Sequence, residues 1–286
     1  MDEKPNGPSH WRVLRSLWRA SRSRPPGPTG SETFDHESLA PILDLVARSG
    51  IAGAESLREE LAAYRGSLGI IDPDQLNRDE ALAFWINLYN AEVLAAAVDA
   101  REEGLDSLLR IPDAFDRRRC MIAGEALSLD DIEHGKIRRF GDPRIHAALV
   151  CGCVSCPSLP AEPMRGADLH DVLDAGTTSF LAEGGTVADP DAGELRLSRI
   201  FMWYGADFVY PNTMPRWRPV ARRSIALSLR RWMPDEEVRW LESERPRIHF
   251  LPYDWTLACR VGQSPVASTL SAGIDTRISP RKSPTA

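Results

Sequence analysis

The sequence predicts an α+β fold in which a mostly helical single domain surrounds a small β-sheet. A segment at 78–101 is apolar on nearly every side, as a buried helix is. A second segment, 129–140, has one apolar stripe and begins with residues that cap helices, whereas 144–151 and 184–197 have the patterns of strands. With 43% hydrophobic residues in a chain of 286, there is enough apolar material for a core of domain size. We therefore predict one globular domain over residues 33–258.

The two ends of the chain differ from this body in composition. Residues 1–32 carry several arginines and end in the breaker stretch 24–30. They predict either a disordered tail or a short amphipathic helix whose residues 10–20 make weak contact with a membrane surface. Residues 259–286 are rich in Ser, Pro, Thr and Gly, which predicts a disordered tail.

Composition and charge narrow the class of protein. A net charge of −6 gives no basic footprint, so we expect no nucleic-acid partner. Neither an export signal nor a run of ~18 apolar residues is visible, which predicts a cytoplasmic protein without a transmembrane segment. The odd number of cysteines, five, argues against a disulfide framework. The substrate is expected to be a small molecule or a peptide.

Helical periodicity, capping residues and turn residues give the remaining elements in order. Ser128 followed by Asp131 is typical of a capping box at the start of a helix, and the Asp-Pro pair at 142–143 ends that helix before a buried strand. A turn rich in Asp, Pro and Gly at 189–193 indicates a hairpin. The predicted helices cover residues 36–48, 55–64, 78–101, 129–140, 198–204, 220–232 and 235–243, and the predicted strands cover 144–151, the hairpin 184–197 and 248–251.

Polar groups inside the predicted helices need partners. Asn87 and Asn90 lie on one face of the long apolar helix, where they either tie the helix to a loop by hydrogen bonds or contribute to a site. Glu133 lies on the apolar stripe of its helix, where an unpaired carboxylate is costly. Its partner is either Lys136, which would make Glu133 structural, or a group in a functional site.

The segment 146–156 combines a histidine with three cysteines. Cys156 precedes a proline, a residue favoured at the first position of a helix, so the pattern predicts that Cys156 caps a helix and that its thiolate is stabilised there. Cys151 ends the predicted strand. In a regular strand its side chain points away from that of His146, which leaves His134 as the nearest candidate for a general base. Both cysteines could equally be inert, buried small hydrophobes.

A metal site is the competing interpretation of the same cysteines. The pattern Cys-x-Cys-x-x-Cys with a nearby histidine supplies donors that suit zinc. However, Cys153 and Cys156 form only one half of such a site, and Cys120 and Cys259 are solitary. We therefore predict no metal and no cofactor.

Five sequence blocks follow one another in a specific order. They are Phe84-Trp-Ile-Asn-Leu-Tyr-Asn-Ala91, Leu127-Ser-Leu-Asp-Asp-Ile-Glu-His-Gly135, Asp142-Pro-Arg-Ile-His146 running into Cys151-Gly and Ser155-Cys-Pro157, Leu197-Ser-Arg-Ile-Phe-Met-Trp-Tyr204 with Asp207-Phe208, and Tyr253-Asp-Trp255. Together they resemble the domain of unknown function 547 family over roughly residues 78–255, a family without an established activity. The family pattern has cysteines at the positions of Cys151 and Cys156 but usually alanine at the position of Cys153. Cys153 is thus a departure, and it makes a zinc site that relies on this residue less plausible.

The polar and reactive groups in these blocks are expected to gather at one site. The hypothesis is a cysteine-dependent hydrolase or acyltransferase acting on amide or thioester bonds, comparable by fold-level analogy with papain-like and transglutaminase-like hydrolases. The alternative is a non-catalytic binding or scaffold domain with a structural polar core. In the hypothesis, the candidate residues are Cys156 as nucleophile with Cys151 as second choice, His134 or His146 as base, Glu133 to orient it, Asn87 as an oxyanion donor and Arg144 as a further polar member of the site.

Overall fold

The structure, a computed structural model, describes residues 24–212 and 219–262. The predicted helix at 10–20 lies outside the described residues, as do most of the predicted N-terminal segment 1–32 and most of the predicted tail 259–286.

The described residues form an α+β fold that is mostly helical with small sheets, as predicted. The α-helices are α1 (Ala40–Ser49), α2 (Ile51–Ser56), α3 (Arg58–Leu68), α4 (Arg78–Glu102), α5 (Leu129–Gly135), α6 (Leu169–Phe180), α7 (Ile200–Val209), α8 (Arg222–Ser228) and α9 (Asp235–Glu244). The strands are β1 (Arg118–Ile122), β2 (Glu125–Ser128), β3 (Thr186–Asp189), β4 (Glu194–Leu197) and β5 (Arg247–Phe250).

Helix α4 lies at the centre of the larger of two apolar cores. Asn77 caps its first turn by accepting a hydrogen bond from the amide of Glu80 at 3.0 Å. Trp85 and Tyr89 expose 4% and 2% of their surfaces, which confirms the prediction of a buried helix, and α2, α3 and α5 pack against it. The length and composition of α4 would also suit a membrane span. This is weak evidence, because nearly the whole helix is buried inside the protein.

Two small sheets accompany the helices. β1 and β2 form an antiparallel hairpin that the sequence analysis missed. β4 pairs with β3 in antiparallel fashion and with β5 in parallel fashion. The β3–β4 hairpin confirms the prediction at 184–197, and its turn ends at Gly193, whose φ of 64° lies in the left-handed region that favours glycine. This three-stranded sheet packs with α7, α8 and α9 to form the second core.

The prediction of a strand at 144–151 is wrong. Residues Pro143–Ala147 instead form a 3-10 helix. Asp142 starts this helix by accepting a hydrogen bond from the amide of Arg144, and the proline at the first position has a backbone angle that suits a helix. The backbone after the helix is bonded by the side chain of Asn90, so these buried polar groups need no neighbouring strand.

The prediction of a helix beginning after Cys156 is also wrong. Within the described chain, no helix begins between residue 157 and α6, so Cys156 caps none. The chain after Cys156 runs beside residues 260–262 instead, where the amide of Leu159 donates to the carbonyl of Arg260. This long-range pairing, not the helix preference of a proline, determines the conformation there.

The predicted helix at 129–140 is divided into two parts. Its capping box is present, since the side chains of Ser128 and Asp131 each accept a hydrogen bond from the other's backbone amide. The α-helix ends at Gly135, and Ile137–Phe140 continues as a 3-10 helix.

Candidate functional site

Two asparagines of α4 hold the loops that carry the candidate residues. Asn90 donates to the carbonyl of Ala148 at 2.9 Å and accepts from the amide of Val150 at 3.1 Å. Asn87 forms the same pair of bonds with the backbone of Met164, at 2.8 and 3.0 Å. Both amides are buried and engaged by backbone, which favours the interpretation that they tie the helix to loops. Asn87 is therefore placed as an anchor of the 164 loop, which leaves the role of oxyanion donor without support from its contacts.

Cys151, Cys153 and Cys156 come together in a tight turn that we call the cysteine turn. The amide of Cys156 donates to the carbonyl of Cys153 at 3.2 Å, and Cys153 also forms an isolated β-bridge with Leu257. Gly152 allows the close packing of this turn, because it has a φ of 69° and an added Cβ atom would lie 2.9 Å from the side chain of Leu108. The three sulfur atoms lie within 4.8 Å of one another.

The sulfur of Cys156 lies among hydrogen-bond donors. It is 3.1 Å from the backbone amide of Cys151, 2.9 Å from the sulfur of Cys153 and 3.6 Å from the hydroxyl of Tyr253. Burial opposes ionisation, but the hydrogen bonds from Cys151, Cys153 and Tyr253 outweigh it and lower the pKa of Cys156 well below its usual value. The backbone amide can only donate, so of the three thiols Cys156 is the one whose contacts favour the thiolate.

Cys151 has the opposite character. Its hydrogen bonds with Cys153 and Cys156, together with burial, raise the pKa of Cys151 well above its usual value. Its sulfur lies 3.2 Å from the hydroxyl of Tyr253, and the residue is partly exposed, whereas Cys153 and Cys156 are buried. Cys151 is therefore a protonated thiol at the outer side of the turn.

Three aromatic rings pack together beside the cysteine turn, and one of them, Tyr253, contacts its sulfur atoms. The ring centroid of Tyr253 lies 4.7 Å from that of Trp255 and 4.9 Å from that of Trp203 on α7. All three residues are half-buried. They form an apolar surface beside the partly exposed thiol of Cys151.

A second group of buried polar side chains, which we call the polar network, joins α5, its 3-10 continuation, the 143–147 helix and α7. It comprises Tyr89, Glu133, His134, Arg138, His146, Tyr204 and Asp207. Its strongest contact is a two-bond ion pair in which Arg138 donates to both oxygens of Asp207 at 2.7 and 2.9 Å. Asp207 also lies 2.9 Å from Nε2 of His146. Burial opposes its ionisation, but the bonds from His146 and Arg138 hold the pKa of Asp207 well below its usual value.

Glu133 belongs to this polar network and not to a pair with Lys136. Lys136 bonds Glu125 at 2.5 Å, whereas an oxygen of Glu133 lies 3.6 Å from Nδ1 of His134 and another accepts from the hydroxyl of Tyr89 at 3.2 Å. Tyr204 also hydrogen-bonds Glu133. Burial opposes ionisation, but the neighbouring histidines, Tyr204 and Arg138 lower the pKa of Glu133.

The cysteine turn and the polar network lie side by side. Tyr89 hydrogen-bonds Glu133 and is close enough to the turn that burial, the Glu133 carboxylate and Cys151 together raise its pKa. On α7, Trp203 contacts the ring of Tyr253, and the next residue, Tyr204, stacks on the ring of His146 with centroids 4.1 Å apart. In the part of the chain that the structure describes, no hydrogen bond joins a histidine to a sulfur atom.

Arg144 lies in a different environment. It pairs with Asp142 at 2.5 Å and Asp174 at 3.1 Å, and it contacts Nδ1 of His170 at 2.7 Å. It lines an open cleft of about 640 Å³ whose walls also include Arg78. Its contacts are thus to this cleft and not to the cysteine turn.

Four members of the polar network, Tyr89, Arg138, Tyr204 and Asp207, are absent from the predicted site residues. Two of them had a signal in the sequence. Arg138 follows His134 by four residues and so lies near it on the predicted helix, and Asp207 is a carboxylate inside an apolar helix, where it needs a partner. The burial of Arg138 had no such signal, because Arg138 lies opposite the apolar stripe of its helix, and it depends on the packing of α7 against the 143–147 helix.

The cysteine turn is also the place where the described residues could hold a metal ion. Its three sulfur atoms are thiol donors of the kind that zinc and copper(I) prefer. A fourth histidine, cysteine or carboxylate does not join them in the described chain.

Burial of His134 is expected to reduce stability in mild acid. Its side chain is 7% exposed, and burial, reinforced by Arg138 and His146, lowers the pKa of His134 to about 4. In the unfolded chain the His134 side chain takes up a proton below its ordinary pKa of about 6.5, whereas in the folded protein it stays neutral until about pH 4. The free energy of unfolding therefore decreases as the pH falls from about 6.5 to about 4. We expect His134 to contribute a loss of ~3 kcal/mol over this window. Urea unfolding at several pH values tests it.

The control for this prediction is His134→Gln, which removes the titrating group. The variant should lose stability less steeply between pH 6.5 and 4 than the wild type does, with the remaining slope coming in part from His36, a second buried histidine whose pKa burial lowers to about 4. Identical slopes would contradict the assignment of His134 as a neutral buried group.

A comparison with protein families finds a model described as "Protein of unknown function, DUF547" that matches residues 73–181. The matched range extends from the turn before α4 to the end of α6, and it includes the cysteine turn and both asparagine anchors. No curated protein matches the chain, and no solved structure does.

Proposed function

Residues 73–181 match the model of the DUF547 family, whose description assigns no activity, and from the geometry of the cysteine turn we propose a thiol-dependent enzyme that acts on amide or thioester bonds. It would be a hydrolase or acyltransferase with Cys156 as nucleophile. The observation that carries the proposal is the set of donors around the Cys156 sulfur: a backbone amide, a neighbouring thiol and a tyrosine hydroxyl. Such an arrangement stabilises a thiolate, which is the nucleophilic form of cysteine.

The proposed reaction begins with attack of the Cys156 thiolate on a carbonyl carbon. The bond to the leaving amine or thiol breaks, that group takes up a proton, and an acyl thioester remains on Cys156 until water or another acceptor removes it. The thiolate needs no histidine to form it, because its neighbours already favour ionisation. The polar network would instead supply the proton transfers, with His146 held by Asp207 and His134 neutral at physiological pH.

Two observations favour the alternative of a non-catalytic scaffold. Cys156 exposes only 4% of its surface, and no hydrogen bond between a histidine and a sulfur atom occurs in ranges 24–212 and 219–262. A scaffold requires no access to the sulfur, whereas an enzyme requires the residues that bury Cys156, Tyr253 among them, to admit a substrate. The two functions therefore differ in whether an acyl group reaches Cys156.

Acyl transfer from an activated ester tests this difference. Reduced protein is incubated with p-nitrophenyl acetate, the release of p-nitrophenol is followed, and the acetyl group is located by peptide mass spectrometry. We expect a burst of one equivalent, with acetyl on Cys156, that disappears in Cys156→Ser and persists in Cys120→Ser. Cys120 is a suitable control because it is a partly buried thiol outside the cysteine turn, and burial raises its pKa to about 12.

Acetylation of Cys151 in place of Cys156 would move the nucleophile to the outer thiol and contradict the assignment. Acetylation no faster than that of Cys120 would contradict the enzyme and leave the scaffold.

A further inference from the structure

In the proposed acyl transfer Cys153 only contacts the nucleophile and forms no covalent bond, yet its sulfur lies between two others. It is 2.9 Å from the sulfur of Cys156 and 3.4 Å from that of Cys151. The residue is buried, so its side chain meets these sulfur atoms and not solvent. A buried thiol in direct contact with the most acidic thiol of the chain is placed for sulfur–sulfur chemistry.

The backbone brings Cys153 and Cys156 within the range of a disulfide. They are the first and last residues of a turn that is closed by the hydrogen bond from the amide of Cys156 to the carbonyl of Cys153 at 3.2 Å. Such a turn keeps its end Cα atoms closer than ~7 Å, which is about the upper limit for a disulfide. The bond could therefore form without unfolding the site.

We propose that Cys153 and Cys156 form a reversible disulfide, which makes the cysteine turn a two-electron redox centre. The oxidant is a hydroperoxide. The Cys156 thiolate attacks its oxygen, the O–O bond breaks, an alcohol or water leaves with a proton, and Cys156 becomes a sulfenic acid. The thiol of Cys153 then attacks that sulfur, so that the disulfide forms and water leaves. A dithiol reductant reverses the change by thiol–disulfide exchange.

Oxidation of the cysteine turn would also change the reactivity of the site, whether or not the site transfers acyl groups. The oxidised turn has no free thiolate on Cys156, so any reaction that uses this nucleophile stops until the disulfide is reduced. Cys153 would act as the resolving thiol and would protect Cys156 from irreversible oxidation to sulfinic acid.

Titration with hydrogen peroxide tests the proposal. We expect the full-length wild type to lose two of its five thiols, to form no intermolecular bond and to recover both thiols with dithiothreitol. Tandem mass spectrometry of the alkylated protein should show Cys151 labelled and Cys153 joined to Cys156. In Cys153→Ala, Cys156 should instead accumulate as sulfenic acid, trapped by dimedone, and then as sulfinic acid that dithiothreitol does not restore. The matched control Cys120→Ala should behave as the wild type does, apart from its missing thiol.

Three outcomes would overturn the proposal: Cys153 alkylated in the oxidised protein, sulfinic acid formed equally in the wild type and in Cys153→Ala, or thiols that become titratable only after a chelator removes a bound metal. These outcomes are separate from a failure of the enzyme. A disulfide without acetyl transfer rejects only the acyl chemistry, and acetyl transfer that peroxide leaves unchanged rejects only the redox centre.

Discussion

Replacing Asp207 with asparagine is expected to lower the free energy of unfolding by ~3–5 kcal/mol. The carboxylate of Asp207 accepts two bonds from Arg138 and one contact from His146. Arg138 is almost completely buried, with 4% of its side chain exposed. Without the Asp207 carboxylate the charge of Arg138 stays inside the protein beside Glu133, the ring of Tyr204 and Nδ1 of His134 at 3.4 Å. The cost of a buried charge that has lost its ion-pair partner dominates the change.

The matched control is Asp99→Asn. Asp99 also pairs with an arginine, Arg58, at 3.2 Å, but the two side chains are 39% and 45% exposed, so that solvent screens this pair. The urea unfolding midpoint of Asp99→Asn should stay close to that of the wild type, since surface ion pairs contribute little to the free energy of unfolding. Asp207→Glu keeps the charge and should fall between the two variants, which also provides a measurement if Asp207→Asn does not fold. An Asp207→Asn variant as stable as the wild type would show that the ion pair does not hold α7 in place.

The sequence was sufficient for the elements whose signals are local. The apolar run of α4, the capping box at Ser128 and the turn before Gly193 each depend on residues a few positions apart, and each prediction is confirmed. The β1–β2 hairpin was missed, although Ala123 and Gly124, both with positive φ, form its turn. α6, which spans Leu169–Phe180, was missed as well.

The errors near the cysteines have a different origin. The residue pattern at 144–151 predicts a strand. However, the carbonyl of Ala148 and the amide of Val150 are bonded by the side chain of Asn90, which lies about sixty residues earlier in the chain. Similarly, the proline after Cys156 favoured a helix, whereas the pairing of Leu159 with Arg260 holds that chain in another conformation. Local preference is weak compared with such long-range contacts, and no pattern in the sequence reveals them.

The candidate site was predicted as one group, whereas the structure divides most of its members between two neighbouring groups, the cysteine turn and the polar network. Arg144 and Asn87 lie outside both groups. Polar residues in apolar blocks are candidates because burying one without a partner is costly. Glu133 and His134 are both buried and both have partners in the polar network. A regular strand would point the side chain of His146 away from that of Cys151. His146 instead lies on a 3-10 helix, where side chains do not alternate between two faces, so strand geometry does not exclude it as a base. The contact of Cys153 with both other sulfur atoms depends on the geometry of the turn. The spacing of the cysteines in the sequence does not determine that geometry.

Replacing Trp85 with alanine is expected to lower the free energy of unfolding by ~3–5 kcal/mol, because it leaves a cavity in the centre of the larger core. The indole is packed edge-to-face against Phe84, with centroids 5.4 Å apart, and the ammonium group of Lys136 lies 5.7 Å from its ring centre. Both contacts and the apolar burial are lost together. The measurement is urea unfolding followed by far-UV circular dichroism, since the variant also lacks one of the fluorescent tryptophans.

Trp85→Phe separates the effect of the cavity on stability from the effect of losing the indole N–H group. The indole nitrogen of Trp85 is buried, and none of the described residues accepts a hydrogen bond from it. Phenylalanine removes that unsatisfied donor and keeps most of the ring, so its cost should be only ~1–2 kcal/mol. This variant also remains measurable if Trp85→Ala is insoluble. Two results would contradict the central position of α4. The first is a Trp85→Ala protein as stable as the wild type, because replacing a residue at the surface leaves no cavity. The second is a Trp85→Phe protein as unstable as Trp85→Ala, because a core position tolerates an aromatic replacement better than alanine.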